Sequence, residues 1–173
     1  YRSNAVYRTP QRIARFIDRL LKPNLDWRSP FDGFDPEVFT WRTHEEQIDL
    51  IEARIDALCQ RGFAPNQILL LSMRGRENAC FRDLDAIGPH RLRKFTGEFS
   101  EDGTPQFTQG DVSAETLWRF KGNQAPAVIL TDFELDDPKE VQQQMLVYCA
   151  LTRATVGCEV LVGSEAGWGL LPR

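Results

Sequence analysis

Cysteine, histidine and long apolar runs are all scarce in this 173-residue chain, and each scarcity removes a class of function. The four cysteines, Cys59, Cys80, Cys149 and Cys158, show no CxxC spacing, and only His44 and His90 could serve as imidazole ligands. A structural zinc site draws on paired Cys and His groups, so no metal ligands are assigned. The thiols read instead as reduced core residues of a cytoplasmic protein. No run approaches the roughly 18 apolar residues of a membrane span, and no charged-then-apolar segment opens the chain, so no membrane partner is expected. Absent too are the strings GxxxxGK[ST], GxSxG and HExxH. Without the first, no glycine loop and lysine can hold nucleotide phosphates, and the others would have marked a serine hydrolase or a metalloprotease. An overall basic field is also missing: 21 basic against 25 acidic residues leave a net charge of -4. Any nucleic-acid contact must therefore use a local patch.

What remains is ordinary globular composition, 42% hydrophobic and 27% charged, enough for one domain over residues 1–173 with a real core. The start at Tyr1 rather than Met suggests a piece of a longer protein. Residues 11–21, QRIARFIDRLL, carry apolar positions at helical spacing, with Thr9 as the expected N-cap and Pro10 at the first helical position. Residues 22–36, rich in proline, read as a loop. A strand at 37–42 precedes Thr43 as a cap, a helix from about His44 to Arg61, and Gly62 as its stop. NQILLLS, 66–72, is too uniformly apolar for a half-exposed strand and points to a central parallel one. A helix is expected at 77–87, an exposed strand at 91–95, a hairpin or loop over 97–110, and strands at 112–116 and 126–133. A long helix over 138–154 and a strand at 158–163 close the pattern, and the glycine-rich tail 164–173 should be loosely packed. Alternating strands and helices imply an α/β fold, a three-layer parallel sheet covered on both faces. Ligands of such sheets gather beyond the carboxyl ends of the strands, here the loops after Leu71, Thr116 and Phe133. No internal repeat is visible, and nothing calls for an obligate oligomer.

The segment Leu146 to Ala154, LVYCALTRA, is an apolar helix that ends on Thr152, Arg153 and Ala154 and leads into an apolar strand. A guanidinium at that joint can point from the helix end toward a neighbouring cleft. The segment resembles the last motif of superfamily 1 DNA helicases of the UvrD/Rep kind, usually written LYVALTRA. Glu115 to Leu130, ETLWRFKGNQAPAVIL, resembles the family's T-x-H-x-x-KG-x-E motif followed by a strand, with Thr116, Lys121 and Gly122 in register. Tyr7 to Ile13, YRTPQRI, resembles the NYRS-type motif at the start of the same domain. The three occur in the family's order.

This resemblance covers nearly the whole chain and implies the second of two RecA-like motor domains of an ATP-dependent, 3′-to-5′ DNA helicase. It implies that Arg153 and Arg8 act as arginine fingers and that Tyr7, Gly122 and Gln124 lie at the nucleotide. ATP with Mg2+ would be held mainly by a missing N-terminal motor domain of the same chain. This piece alone would be inactive. Arginine suits such a role because it stays charged and grips phosphate oxygens through a planar fork. Thr116, Trp118 and Lys121 would lie along single-stranded DNA. Arg74 and Arg76 join them from position and charge, with Arg82, Arg91, Arg93 and Lys94 as an extension. Those basic residues also read as a solvated face balanced by Glu77, Asp83 and Asp85.

The family pattern is broken twice. Gln124 stands where many relatives carry glutamate, and its amide can still donate and accept. Trp118 stands where histidine is usual; an indole there either stacks on a base or fills the core. Arg153 has a second reading as compensation for the helix C-terminal dipole. Asp132 and Glu134 resemble magnesium-binding carboxylates after a strand, yet without a phosphate loop they read as a solvated acidic loop. The alternative function is a non-catalytic, helicase-derived regulatory or protein-interaction module. A remoter one is a stand-alone nucleotide-binding domain using Asp132.

Overall fold

The computed structural model describes residues 4–133 and 140–163. The expectations for Glu134, for the first residues of the last helix and for the tail 164–173 lie outside them. Strands and helices alternate: β1 (Ala5–Val6), α1 (Gln11–Leu21), β2 (Asp26–Trp27), β3 (Glu37–Trp41), α2 (His44–Gln60), β4 (Ile68–Ser72), β5 (Ala86–Ile87), β6 (His90–Phe99), β7 (Pro105–Phe107), β8 (Val112–Thr116), β9 (Ala125–Phe133), α3 (Val141–Leu151) and β10 (Ala154–Gly163).

The main sheet runs in the order β3-β10-β9-β4-β8-β6-β5, with β7 added to β6. Every pairing from β3 to β6 is parallel, while β5 and β7 pair antiparallel with β6. The sheet is therefore mixed, not fully parallel as expected. The antiparallel edge arises because residues 86–107 connect through tight turns, too short for the crossover that a parallel return demands.

Alternation along β4 explains the two cores. Leu69 and Leu71 face α1 and α3 together with Val128, Leu130, Val160 and Val162. Ile68 and Leu70 face α2 together with Ile129 and Leu161. A strand buried on both sides has no solvent-facing side, which is why residues 68–71, ILLL, read as a continuous apolar run.

Local capping follows the sequence at α2 and departs from it at α1. Thr43 accepts from the Glu46 amide at 3.2 Å, and Gly62 (φ +100) follows the last turn. At α1 the N-cap is Pro10, and Thr9 is buried without capping. The loop supplies the acceptors instead, because the Gln11 and Arg12 amides donate to the Phe31 and Asp32 carbonyls at 2.8 and 3.0 Å. The same loop holds β2, which pairs with β1 where only irregular chain was expected.

The helix expected over 77–87 does not form. A short 3-10 turn, Arg76–Asn78, gives way to isolated turns. Ala79, Cys80 and Phe81 are all buried, and three successive residues cannot share one helix face. The Cys80 amide, which a helix would direct at the Arg76 carbonyl, donates instead to Asp132 Oδ2 at 3.1 Å.

Candidate functional site

Two ends of the sheet collect the candidate residues. At the amino-terminal ends of β9 and β10 the Ala125 amide donates to the Arg153 carbonyl at 2.9 Å, which holds the two strand starts side by side. Arg153 follows the C-cap Thr152 of α3. Its Nε donates to the Cys149 carbonyl at 2.8 Å, Nη1 to the Asn123 carbonyl at 3.1 Å and Nη2 to Thr152 Oγ1 at 3.3 Å. The guanidinium thus compensates the helix C-terminus, as one of the two sequence readings held. Of the five N–H groups an arginine carries, three are engaged there and two remain. Gln124 is exposed and donates to the Thr152 carbonyl at 3.3 Å, so Asn123, Gln124, Thr152 and Arg153 form one cluster. Asn123 is a member that the sequence reading missed, because a backbone acceptor carries no side-chain signal. Gly122 takes φ +91 with open space around it.

Arg8 and Tyr7 lie in the bend before α1, and both are exposed. The start of α1 is tied to the start of β10 through Gly33. At φ +70, a Cβ there would stand 2.6 Å from Pro10 Cβ and 2.7 Å from the Val156 carbonyl oxygen. That packing puts Arg8 at the same end of the sheet as Arg153. Arg8 makes no hydrogen bond or ion pair among the described residues, whereas Tyr7 interacts with Arg28.

At the opposite end, the carboxyl termini of β9, β4 and β8 are neighbours, which brings together the three loops singled out from the sequence. Arg74 and Arg76 follow β4 and are exposed. Arg76 Nη2 donates to the Thr96 carbonyl at 2.7 Å and its guanidinium lies 5.5 Å from the Phe95 ring centre. Arg119, not foreseen, stacks on the same ring at 3.5 Å and pairs with Glu115 at 3.3 Å. Burial pushes the Glu115 carboxyl above its ordinary range, and Arg119 opposes that shift. Thr116 is only 5% exposed but lines a cavity of about 450 Å³ with Arg76, Phe95 and Arg119. Trp118 is 63% exposed, so it does not fill the core. Lys121 is exposed in the connection that leads from the carboxyl end of β8 back to the start of β9, next to Gly122, so the fold sets it apart from Thr116, Arg74 and Arg76. The basic extension is largely engaged internally: Arg82 pairs with Asp83 at 3.2 Å, Lys94 donates to the Arg82 carbonyl at 2.9 Å, and Arg93 stacks on Phe107 at 4.0 Å.

Asp132 is not the solvated residue expected. It is 2% exposed and accepts from Ser72 Oγ at 2.6 Å, Gln47 Nε2 at 2.9 Å and the Cys80 amide at 3.1 Å. No group of three or more metal-binding side chains occurs among the described residues.

The segment that holds Thr116, Trp118, Lys121, Gly122, Gln124 and Arg153 coincides with a family match. Residues 111–160 match the UvrD-like helicase C-terminal domain. In fold, the chain is similar to the C-terminal domain of a possible DNA helicase from Lactobacillus plantarum WCFS1, with a TM-score of 0.65 at 15% identity, covering 95% of this chain and 96% of that one. No curated protein matches the sequence. The UvrD-like segment thus runs from β8 through β9 and α3 into β10, while Tyr7, Arg8, Arg74 and Arg76 lie outside it and are brought to its two ends by the fold. No helix among the described residues is long and apolar enough to cross a membrane.

Proposed function

We propose that this chain is the second, RecA-like motor domain of an ATP-dependent DNA helicase. In this reading it offers Arg153 and Arg8 to ATP with Mg2+ held mainly by an N-terminal motor domain of the same polypeptide. The observation that carries the reading is the pairing of arginines at one sheet end. Arg153 is oriented by three hydrogen bonds with two N–H groups left over, and Arg8 has no competing partner among the described residues. A guanidinium already fixed by its own helix end loses little rotamer freedom when it meets a phosphate. ATP supplies the phosphoanhydride, and charge on its transferring oxygens is what arginine fingers stabilise, with effects of about 10³ to 10⁵ in rate. Tyr7, Gly122 and Gln124 border the same end and contact the nucleotide. At the other end Thr116, Trp118, Arg74 and Arg76 form the single-stranded DNA face, where exposed Trp118 offers an indole for stacking on a base, and Lys121 extends the DNA contact along the connection that leads from β8 toward β9.

The capping bonds of Arg153 also favour a second reading, a regulatory module in which that arginine is purely structural. Single-strand-stimulated ATP hydrolysis by the complete protein separates the two. Arg153→Ala and Arg8→Ala should each lower turnover by about a hundredfold or more with nucleotide binding retained. An active protein indifferent to both changes would overturn the finger assignment, and a wild type without activity would favour the regulatory module.

A further inference from the structure

We infer that Asp132 is a positioning residue that fixes the segment 73–79, and through it Arg74 and Arg76, at the carboxyl ends of β4 and β8. In a regular strand, consecutive side chains point to opposite faces. Yet Thr131 Oγ1 and Asp132 Oδ1 both accept from Gln47 Nε2, at 2.8 and 2.9 Å, on the α2 face. A bulge makes this possible. Leu130 pairs with Val160 and Phe133 with Val162, so two residues of β9 stand against Leu161 alone. Asp132 takes φ +53, a conformation that few residues other than glycine adopt. The bulge also shifts the strand's phase, which returns Phe133 to the α1 and α3 core beside Leu130.

Such a backbone persists only where its surroundings over-determine it, and here they do. The Arg74 amide donates to Ser72 Oγ at 3.1 Å, Ser72 Oγ donates to Asp132 Oδ2 at 2.6 Å, and the Cys80 amide reaches the same oxygen at 3.1 Å. One carboxylate therefore gathers both ends of the segment that carries Arg74 and Arg76. Three donors on two oxygens suit a carboxylate, which has about four acceptor positions and no hydrogen to misplace. The anchor also touches the turn after β8, because the Leu117 amide donates to the Ser72 carbonyl at 2.9 Å. Asp132 is too buried to meet a ligand itself, so its effect is on where the two guanidiniums stand.

The consequence for binding rests on the single-stranded DNA face proposed above, and the test keeps the two apart. Amide exchange reads the clamp without DNA. In Asp132→Gly, which relieves the positive φ while removing the carboxylate, the amides of Arg74 and Cys80 should exchange at least about tenfold faster, with the core strands unchanged. Unchanged exchange there would overturn the clamp. Binding to labelled oligo(dT) across a salt series then reads the arginines. Each lost phosphate contact lowers the salt slope by about 0.7, so Arg74→Ala with Arg76→Ala should lower it by about 1.4, and Asp132→Gly by a similar amount. Combining all three changes should add little. Asp132→Asn, which keeps an acceptor and tolerates the backbone, should restore most of the slope. If the arginine variant flattens the slope and Asp132→Gly does not, the positioning role fails. If wild type does not bind, or the arginine variant keeps its slope, the DNA face fails and with it this consequence.

Discussion

Arg54→Ala should destabilise the protein by about 3 kcal/mol, because it strands a charge inside the sheet. Glu159 lies on β10, between β3 and β9, and is 1% exposed. Its carboxylate is held by a two-point fork from α2, with Arg54 Nε at 2.8 Å and Nη2 at 3.0 Å. The Arg54 guanidinium also lies 4.1 Å from the Phe39 ring centre, and its pKa is raised chiefly by the hydrogen bond to Glu159. Removing one partner of such a pair costs about 3 to 5 kcal/mol. Arg61, 3.8 Å from the same carboxylate, offsets part of that, which places the expected loss at the lower end. In urea, with a slope of about 2 kcal/mol per molar, 3 kcal/mol moves the midpoint by about 1.5 M. In a chain of this size the melting temperature should fall by about 6 to 12 °C. The double change Arg54→Ala with Glu159→Leu should recover most of the loss, since an apolar side chain needs no partner there. A single variant within about 1 kcal/mol of wild type, or a double variant no better than the single, would refute the argument.

Thiol chemistry and pH give two further checks. Cys80 and Cys158 are buried, and burial raises both thiols, Cys158 to about 12, so at pH 8 a thiol reagent should modify Cys59 and Cys149 in the native protein and reach the other two only on unfolding. Rapid native modification of Cys158 would contradict the packing of β10. Burial raises the Glu115 carboxyl above its ordinary 4.5, so its contribution to stability is complete below about pH 4.5 and is lost as pH rises through the folded value. Urea titrations of Glu115→Gln from pH 4 upward should show the variant gaining on wild type as pH rises. A gap that moves the other way would mean that the bond to Arg119 outweighs burial.

Composition and periodicity reveal the central strands and the first two helices because those features depend on local pattern. The run over residues 68–71 is apolar at every position because both faces are covered, and α1 spans 11–21 as its spacing predicts. Thr116, Lys121, Gly122 and Arg153 stood out for a different reason, the resemblance of their segments to helicase motifs, and local pattern alone would not have singled them out.

Other features depend on partners far away in sequence, and the tertiary structure alone decides them. The acidic pair in VILTDFE has the look of a solvated loop, but whether Asp132 faces water depends on the bulge and on Ser72, Gln47 and Cys80, which are 52 to 85 residues away. The same carboxylate removes the Cys80 amide from helical bonding, so residues 77–87 fail as a helix for a reason their own pattern cannot show. Thr9 loses its capping role to carbonyls of the 31–32 loop, and Glu159 is tolerated in a central strand only because Arg54 arrives from α2. A chain by itself determines where apolar surface must be buried, because that is a property of each residue's neighbours in sequence. Where buried polar groups find partners is a property of the assembled sheet, and the two candidate faces are built from those partners.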